Sequence, residues 1–259
     1  MWWVANNRDR SPIVTFVDVS ESISGCGQAA AVLLEALEGP GLDDAAARQP
    51  SLLPGWSVGH LLTHLARNAD SHRRMIEAGA EDRVADQYPG GPAQRDGEIE
   101  AGAHRPAQEL LDDLRTAELA LQAAWDRVPP EVWARDSRRW GTQPWPLAEQ
   151  PFLRWREVAL HSTDLGVAGL TPDLWADAYV DHELRRQLAA LAPRLPGRLA
   201  VDVEVADRGW DVVVMGSGPG QPEPLATAAG TSRQLLGWLV GRGTAPAAWP
   251  RLTAWSAVP

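Results

Sequence analysis

Apolar residues recur at helical spacing in four long stretches of the chain and then switch to strand spacing near its C-terminal end. In the first stretch, residues 19 to 37, Ile23, Ala30, Leu33, Leu34 and Leu37 make an amphipathic stripe, and Gly39-Pro40-Gly41 supplies the stop. The second follows the turn Leu52-Leu53-Pro54-Gly55-Trp56, takes Ser57 as N-cap and runs to the neighbourhood of Ala78. Its stripe is Val58, Leu61, Leu62, Leu65, Ala69 and Ile76. The third, residues 106 to 128, carries Leu110, Leu111, Leu114, Ala117, Leu121 and Trp125 before Pro129-Pro130 stops it. A fourth helix begins after Pro151. Residues 79 to 105, with Tyr88-Pro89-Gly90-Gly91-Pro92, read as a long loop holding at most one short helix, and residues 131 to 151 are broken repeatedly by Trp and Pro.

The ends of the chain have a different texture. Residues 1 to 18 match nothing downstream and contain at best a short strand at residues 12 to 17, so they read as an N-terminal extension. Leu170-Thr171-Pro172-Asp173 reads as a domain junction. Beyond it come a helix over residues 174 to 191, a hairpin with Leu199, Val201, Val203 and Val205 on one face and residues 210 to 215 as the returning strand, and a last helix over residues 231 to 240 ended by Gly241-Arg242-Gly243. The expected organisation is a 1–18 extension, a 19–170 four-helix unit and a 171–259 small α+β unit. Gly216-Ser217-Gly218-Pro219-Gly220 fits neither a nucleotide loop nor a nucleophile elbow and is expected simply to leave the hairpin.

Composition narrows the function. No apolar run is long enough to span a bilayer and the N-terminal residues lack the apolar core of a signal peptide, which predicts a cytoplasmic protein with no membrane partner. A formal net charge of -10 argues against nucleic acid as partner. All the basic residues are Arg, so Schiff-base and P-loop lysine chemistry are excluded. The single Cys26 can form no internal disulfide and is expected to be an inert packing residue. The 13 Trp, among them Trp140, Trp145 and Trp249 in Pro- or Gly-rich connections, are read as loop anchors, with pocket lining as the rival role.

Candidate chemistry lies on the fourth helix, where Arg154, Glu157, His161 and Asp164 share one stripe and Phe152, Trp155, Ala159 and Leu160 face away from it. Glu157 and His161, four apart, can reach one cation together. The same spacing also describes an ordinary solvated helix with a charge ladder. A third ligand would have to come from the second helix. On its wheel His60 falls nearly opposite the apolar stripe, His64 lies nearer the stripe's edge and His72 nearer its centre, so His64 is preferred to His60 while His72 stays open.

With these helices placed, the chain resembles the mycothiol-dependent maleylpyruvate isomerase family, within the larger group of DinB-like four-helix metalloproteins. The resemblance is carried by Leu53-Pro54-Gly55-Trp56-Ser57-Val58-Gly59-His60-Leu61-Leu62-Thr63-His64 with Asn68 and Asp70, by Tyr88-Pro89-Gly90-Gly91, by Trp155-Arg156-Glu157 through His161 to Asp164-Leu165, and by Leu236-Gly237-Trp238-Leu239-Val240-Gly241-Arg242. It spans residues 20 to 259 and implies a mainly α, DinB-like four-helix bundle followed by a small α+β C-terminal domain. It also implies that His64, Glu157 and His161 bind a divalent metal, usually zinc, with an open position for the thiol of mycothiol, and that Arg242 helps bind an anionic substrate; helix-end capping is the plain alternative for Arg242. The implied activity is addition of that thiol to a small electrophile, ending in transfer or in cis-trans isomerisation, by a monomer or homodimer. Two rivals share the fold: a metal-dependent hydrolase using metal-bound water, and a non-catalytic binding or stress-response protein.

Overall fold

The computed structural model describes residues 18–38, 42–138, 144–167, 169–221 and 225–253. The strand expected at residues 12–17, the helix stop at residues 39–41 and Trp140 lie outside them. The chain divides into two compact units, with the boundary between Thr171 and Pro172.

The first unit contains α1 (Val19–Glu38), the single turn α2 (Asp44–Ala47), α3 (Val58–Ala80), α4 (Gly91–Gly102), α5 (Ala107–Arg127), a pair of two-residue antiparallel strands, β1 (Asp136–Ser137) and β2 (Trp145–Pro146), and α6 (Gln150–Asp164). The four long helices close a ring: α3 packs on α5 and α6, and α1 packs on the same two. Leu61, Leu62, Leu65, Leu110, Leu114 and Leu121 are all fully buried at its centre, each contributing about 1.5–3 kcal/mol by leaving water. On α1 the inward face is Ser22, Gly25, Cys26, Ala30, Leu33 and Leu37, with Ile23 and Leu34 at its margins. The small residues of that face let α6 come close. A Cβ on Gly25 would stand 2.3 Å from the Trp155 ring.

One feature departs from the sequence reading. The stripe on α6 is not a solvated face, because Arg154 is 0% exposed and Asp164 2% exposed. Arg154 is tolerated there because its guanidinium donates to Asn68 Oδ1 at 2.8 Å and to the Glu118 carboxylate, so one charged side chain fastens α6 to α3 and α5. A buried cation without such partners would cost several kcal/mol. The segment 79–105, read as a long loop with room for one short helix, holds one, α4, of 12 residues. Pro92 in its first turn and the Gly90 N–H donating to Gln94 Oε1 at 2.7 Å start it, and Ile99 is its one buried apolar residue among those of the helix.

The second unit holds α7 (Asp177–Ala189), strands β3 (Ala200–Val205), β4 (Trp210–Met215) and β5 (Leu225–Gly230), and α8 (Ser232–Val240). The expected hairpin is β3–β4, antiparallel with Val205 opposite Trp210. The third strand, β5, was not expected; it pairs parallel with β3, which becomes the centre of a sheet ordered β4-β3-β5. Val201, Val203, Val205, Val212 and Ala228 are buried, and α7 and α8 pack on one another. Thr231 caps α8 with Gln234 as reciprocal partner, and Gly241 ends it at φ 69°, a left-handed conformation that favours glycine. Among the described residues no helix is long and apolar enough to cross a membrane.

Candidate metal centre

His64 comes from the second turn of α3, and Glu157 and His161 from successive turns of α6, so the packing of those two helices decides whether the three side chains meet. They do. His64 Nε2 lies 3.0 Å and His161 Nε2 3.4 Å from the same oxygen, Glu157 Oε2. The two imidazoles meet edge to face with centroids 4.9 Å apart, and the three donor atoms all fall within 4.8 Å of one another. His60 and His72 are elsewhere: His60 Nδ1 sits 2.7 Å from Ser57 Oγ at the start of α3, and His72 is buried two turns further along the helix.

The charges of the three are set by one another. Burial lowers the His64 pKa to about 4, with the neighbouring His161 and Arg95 adding to the effect against the opposing pull of Glu157. Burial alone would raise the Glu157 pKa, but hydrogen bonds from His161 and His64 outweigh it and hold the carboxyl well below the usual carboxylate range. Burial would likewise lower His161, yet hydrogen bonds to Asp164 and Glu157 raise it above the ordinary histidine value. At neutral pH the cluster therefore has an ionised Glu157 and a neutral His64, with the carboxylates on either side of His161 favouring its protonated form.

Asp164 completes the arrangement. Its Oδ2 is 2.9 Å from His161 Nδ1 and accepts a proton held there, so that release of the Nε2 proton, which now faces Glu157, would leave that nitrogen's lone pair for a cation. A carboxylate behind an imidazole in this way is the usual backing of a metal-binding histidine. His64 has a different neighbour, since Arg95 Nη2 from α4 stands 3.4 Å from its Nδ1. Arg95 also lies over the Trp56 ring, 5.5 Å from the centroid, and Trp56 packs 5.4 Å from His64. The donor set can be tested for fit. Bonds of about 2.0–2.1 Å to a tetrahedral cation put adjacent ligand atoms roughly 3.3 Å apart, and the separations here are 3.0 and 3.4 Å. Two imidazoles and one carboxylate are also the ligand types that a catalytic divalent site uses while leaving a position open.

Sequence reading missed Arg95 and Trp56. Arg95 belongs to α4, which carries too little apolar patterning to be placed, and Trp56 reads as a turn residue within the family-like stretch, with no role at the site. Tyr88 enters the sequence reading through a loop and the family resemblance, with no role assigned; it is 1% exposed, and burial raises its phenol pKa against the lowering influence of Arg95. Arg242 lies in the second unit, where its Nη1 donates to the Val240 carbonyl at 2.7 Å, the capping contact expected of a cation after a helix end.

Residues 26–166, more than half of the chain, match the family model described as the mycothiol maleylpyruvate isomerase N-terminal domain. Among solved structures, the crystal structure of the mycothiol-dependent maleylpyruvate isomerase is 21% identical, with a TM-score of 0.76 over 89% of this chain and 92% of that one. A histidine-to-alanine mutant of that enzyme gives 20% identity and the same TM-score and coverage. YfiT from Bacillus subtilis, described as a probable metal-dependent hydrolase with an unusual four-helix bundle topology, gives 15% identity and a TM-score of 0.47, over 62% of this chain and 92% of that one. No curated protein matches the sequence. The architecture is the mainly α one expected, a bundle of four long helices in one unit and a small α+β arrangement in the other.

Proposed function

Because the chain belongs to the mycothiol maleylpyruvate isomerase N-terminal domain family, we propose that it is a metal-dependent enzyme that activates the thiol of mycothiol for addition to a small electrophile, with cis-trans isomerisation or S-transfer as the outcome. The observation that carries this reading is the meeting of His64 Nε2, Glu157 Oε2 and His161 Nε2 with Asp164 behind His161. These three residues would hold the cation, for which zinc is the proposed choice. When bound it would supply a Lewis acid with an open position, where a thiol loses its proton more readily and becomes nucleophilic.

The chain's own residues do the rest. Glu157 brings the negative charge, Asp164 keeps the His161 lone pair aimed, and the buried His64 stays unprotonated at neutral pH. Arg95, held over Trp56, offers a guanidinium to a carboxylate on the substrate. In the isomerisation, sulfur bonds to one alkene carbon as the π pair moves onto the conjugated carbonyl oxygen. Rotation follows about the new single bond, and the pair returns to expel the thiol. In a transfer the oxyanion side is protonated instead and the carbon-sulfur bond stays. Arg242 is proposed, on the family resemblance, to recognise a substrate carboxylate.

The test is to supply zinc-loaded protein with mycothiol and maleylpyruvate, following the isomer by NMR and any adduct by mass spectrometry. Turnover or adduct is expected only with both thiol and metal, and Glu157→Gln is expected to abolish it. Turnover that needs metal and no thiol would replace this reading with hydrolysis, and no reaction with any thiol and electrophile would leave a binding protein.

A further inference from the structure

A second group of potential ligands stands apart from the first. His60 is on the first turn of α3, and Glu100 and His104, four apart, straddle the C-terminal end of α4. Gly59 brings the two helices into register, because a Cβ there would lie 2.2 Å from the Ala103 carbonyl oxygen and any other residue would push the end of α4 away. His60 Nε2 is 3.2 Å from Glu100 Oε2, and His104 Nε2 is 3.6 Å from Glu100 Oε1, so each carboxylate oxygen faces one imidazole. The rings meet edge to face with centroids 5.6 Å apart, and the three donor atoms lie within 4.8 Å of one another.

We propose that His60, Glu100 and His104 form an outer divalent-cation site, separate from the His64 cluster, for a borderline metal of the zinc, nickel or copper kind. Two imidazoles and one carboxylate select such ions over magnesium or calcium, which prefer oxygen ligands throughout. The 3.2 Å between His60 Nε2 and Glu100 Oε2 is close to the roughly 3.3 Å expected between adjacent ligands of a small tetrahedral cation, and His104 Nε2 faces the other oxygen of the same carboxylate at 3.6 Å. His60 is prepared for the task. It is stacked on Trp56 at 6.4 Å and 22°, and its Nδ1 lies 2.7 Å from Ser57 Oγ. Ligation through Nε2 requires the proton on Nδ1, and the Ser57 hydroxyl is placed to accept it, at the expense of the weaker 3.2 Å contact from the Ser57 N–H. Glu100 and His104 are exposed, so the remaining coordination positions open to water. A cation here would tie the end of α4 to α3, and α4 also carries Arg95.

The site is testable by equilibrium dialysis of the metal-free full chain against zinc, counting bound metal per chain. Two equivalents are expected for the wild type, one for His104→Ala, one for Glu100→Gln, one for His161→Ala and none for His104→Ala combined with His161→Ala. His182→Gln, in the second unit, should leave the count at two. Zinc should raise the Tm of His161→Ala and not that of the double variant. The proposal is overturned if His104→Ala and Glu100→Gln bind as much zinc as the wild type, or if His182→Gln loses as much as His104→Ala, which would mean scattered binding to surface imidazoles. A wild type with one equivalent, lost in His104→Ala and kept in His161→Ala, would uphold the outer site while removing the metal from the proposed function.

Discussion

Asp164 touches no proposed substrate, yet it governs the site through one hydrogen bond, from His161 Nδ1 at 2.9 Å. In the metal-free cluster the His161 pKa is raised, with Asp164 and Glu157 outweighing burial. A cation must displace that proton, so metal affinity should climb with pH until His161's raised pKa is passed and then level off. Below that point each unit of pH costs about tenfold in affinity for one released proton. Asp164→Asn removes the charge that favours imidazolium, so the levelling should move to lower pH, while loss of the backing carboxylate weakens binding at the plateau by roughly 10–100-fold. A competitive chelator titration across pH measures both. An unchanged profile in Asp164→Asn would show that this carboxylate has no part in holding the metal. At this scale the sequence was informative in kind and silent in place. Helical spacing joined Glu157 to His161 and put His64 ahead of His60, but the reach from α3 to α6 spans 93 residues and no local period encodes it.

At the scale of elements, the ligands are only as well placed as α6, and α6 is seated against α1 through Gly25 and Trp155. Replacing Gly25 by Ala should gain about 1 kcal/mol of helix propensity and lose more, about 1–3 kcal/mol, to the Cβ driven into the Trp155 ring. Gly27, exposed and with Gln122 Oε1 at 3.5 Å as its nearest neighbour, has no such conflict. Thermal melts should therefore move in opposite directions, Gly25→Ala downward and Gly27→Ala upward. A Gly25→Ala protein as stable as the wild type would mean that the α1–α6 contact is loose. The helices α1, α3, α5 and α6 were legible because each buries a periodic apolar face. α4 was not, since Gly90, Gly91, Gly97 and Gly102 break its composition and Ile99 is its only buried side chain in the helix. β5 was missed for a related reason: half of Leu225–Gly230 is alanine, and it forms a strand because β3 offers it an edge, not because its own pattern demands one.

For the molecule as a whole, the division into two units is marked in the sequence by the break at Leu170-Thr171-Pro172-Asp173, with the strand period appearing only beyond it, and the net charge of -10 fits small-molecule chemistry better than a polyanionic partner. What periodicity could not supply was the burial of charge. Arg154, Glu157, His161 and Asp164 look like a surface ladder in one dimension, and they become an interior network only because Asn68, Glu118 and His64 arrive from other helices. The proposed chemistry depends on that network holding one cation and leaving it a place for sulfur. X-ray absorption at the zinc edge reads this most directly, on His104→Ala protein carrying one zinc per chain. The account predicts a first shell of nitrogen and oxygen at about 2.0–2.1 Å that gains one sulfur at about 2.3 Å when mycothiol is added. A shell that stays free of sulfur at saturating mycothiol, or zinc that does not bind this variant at all, would contradict it.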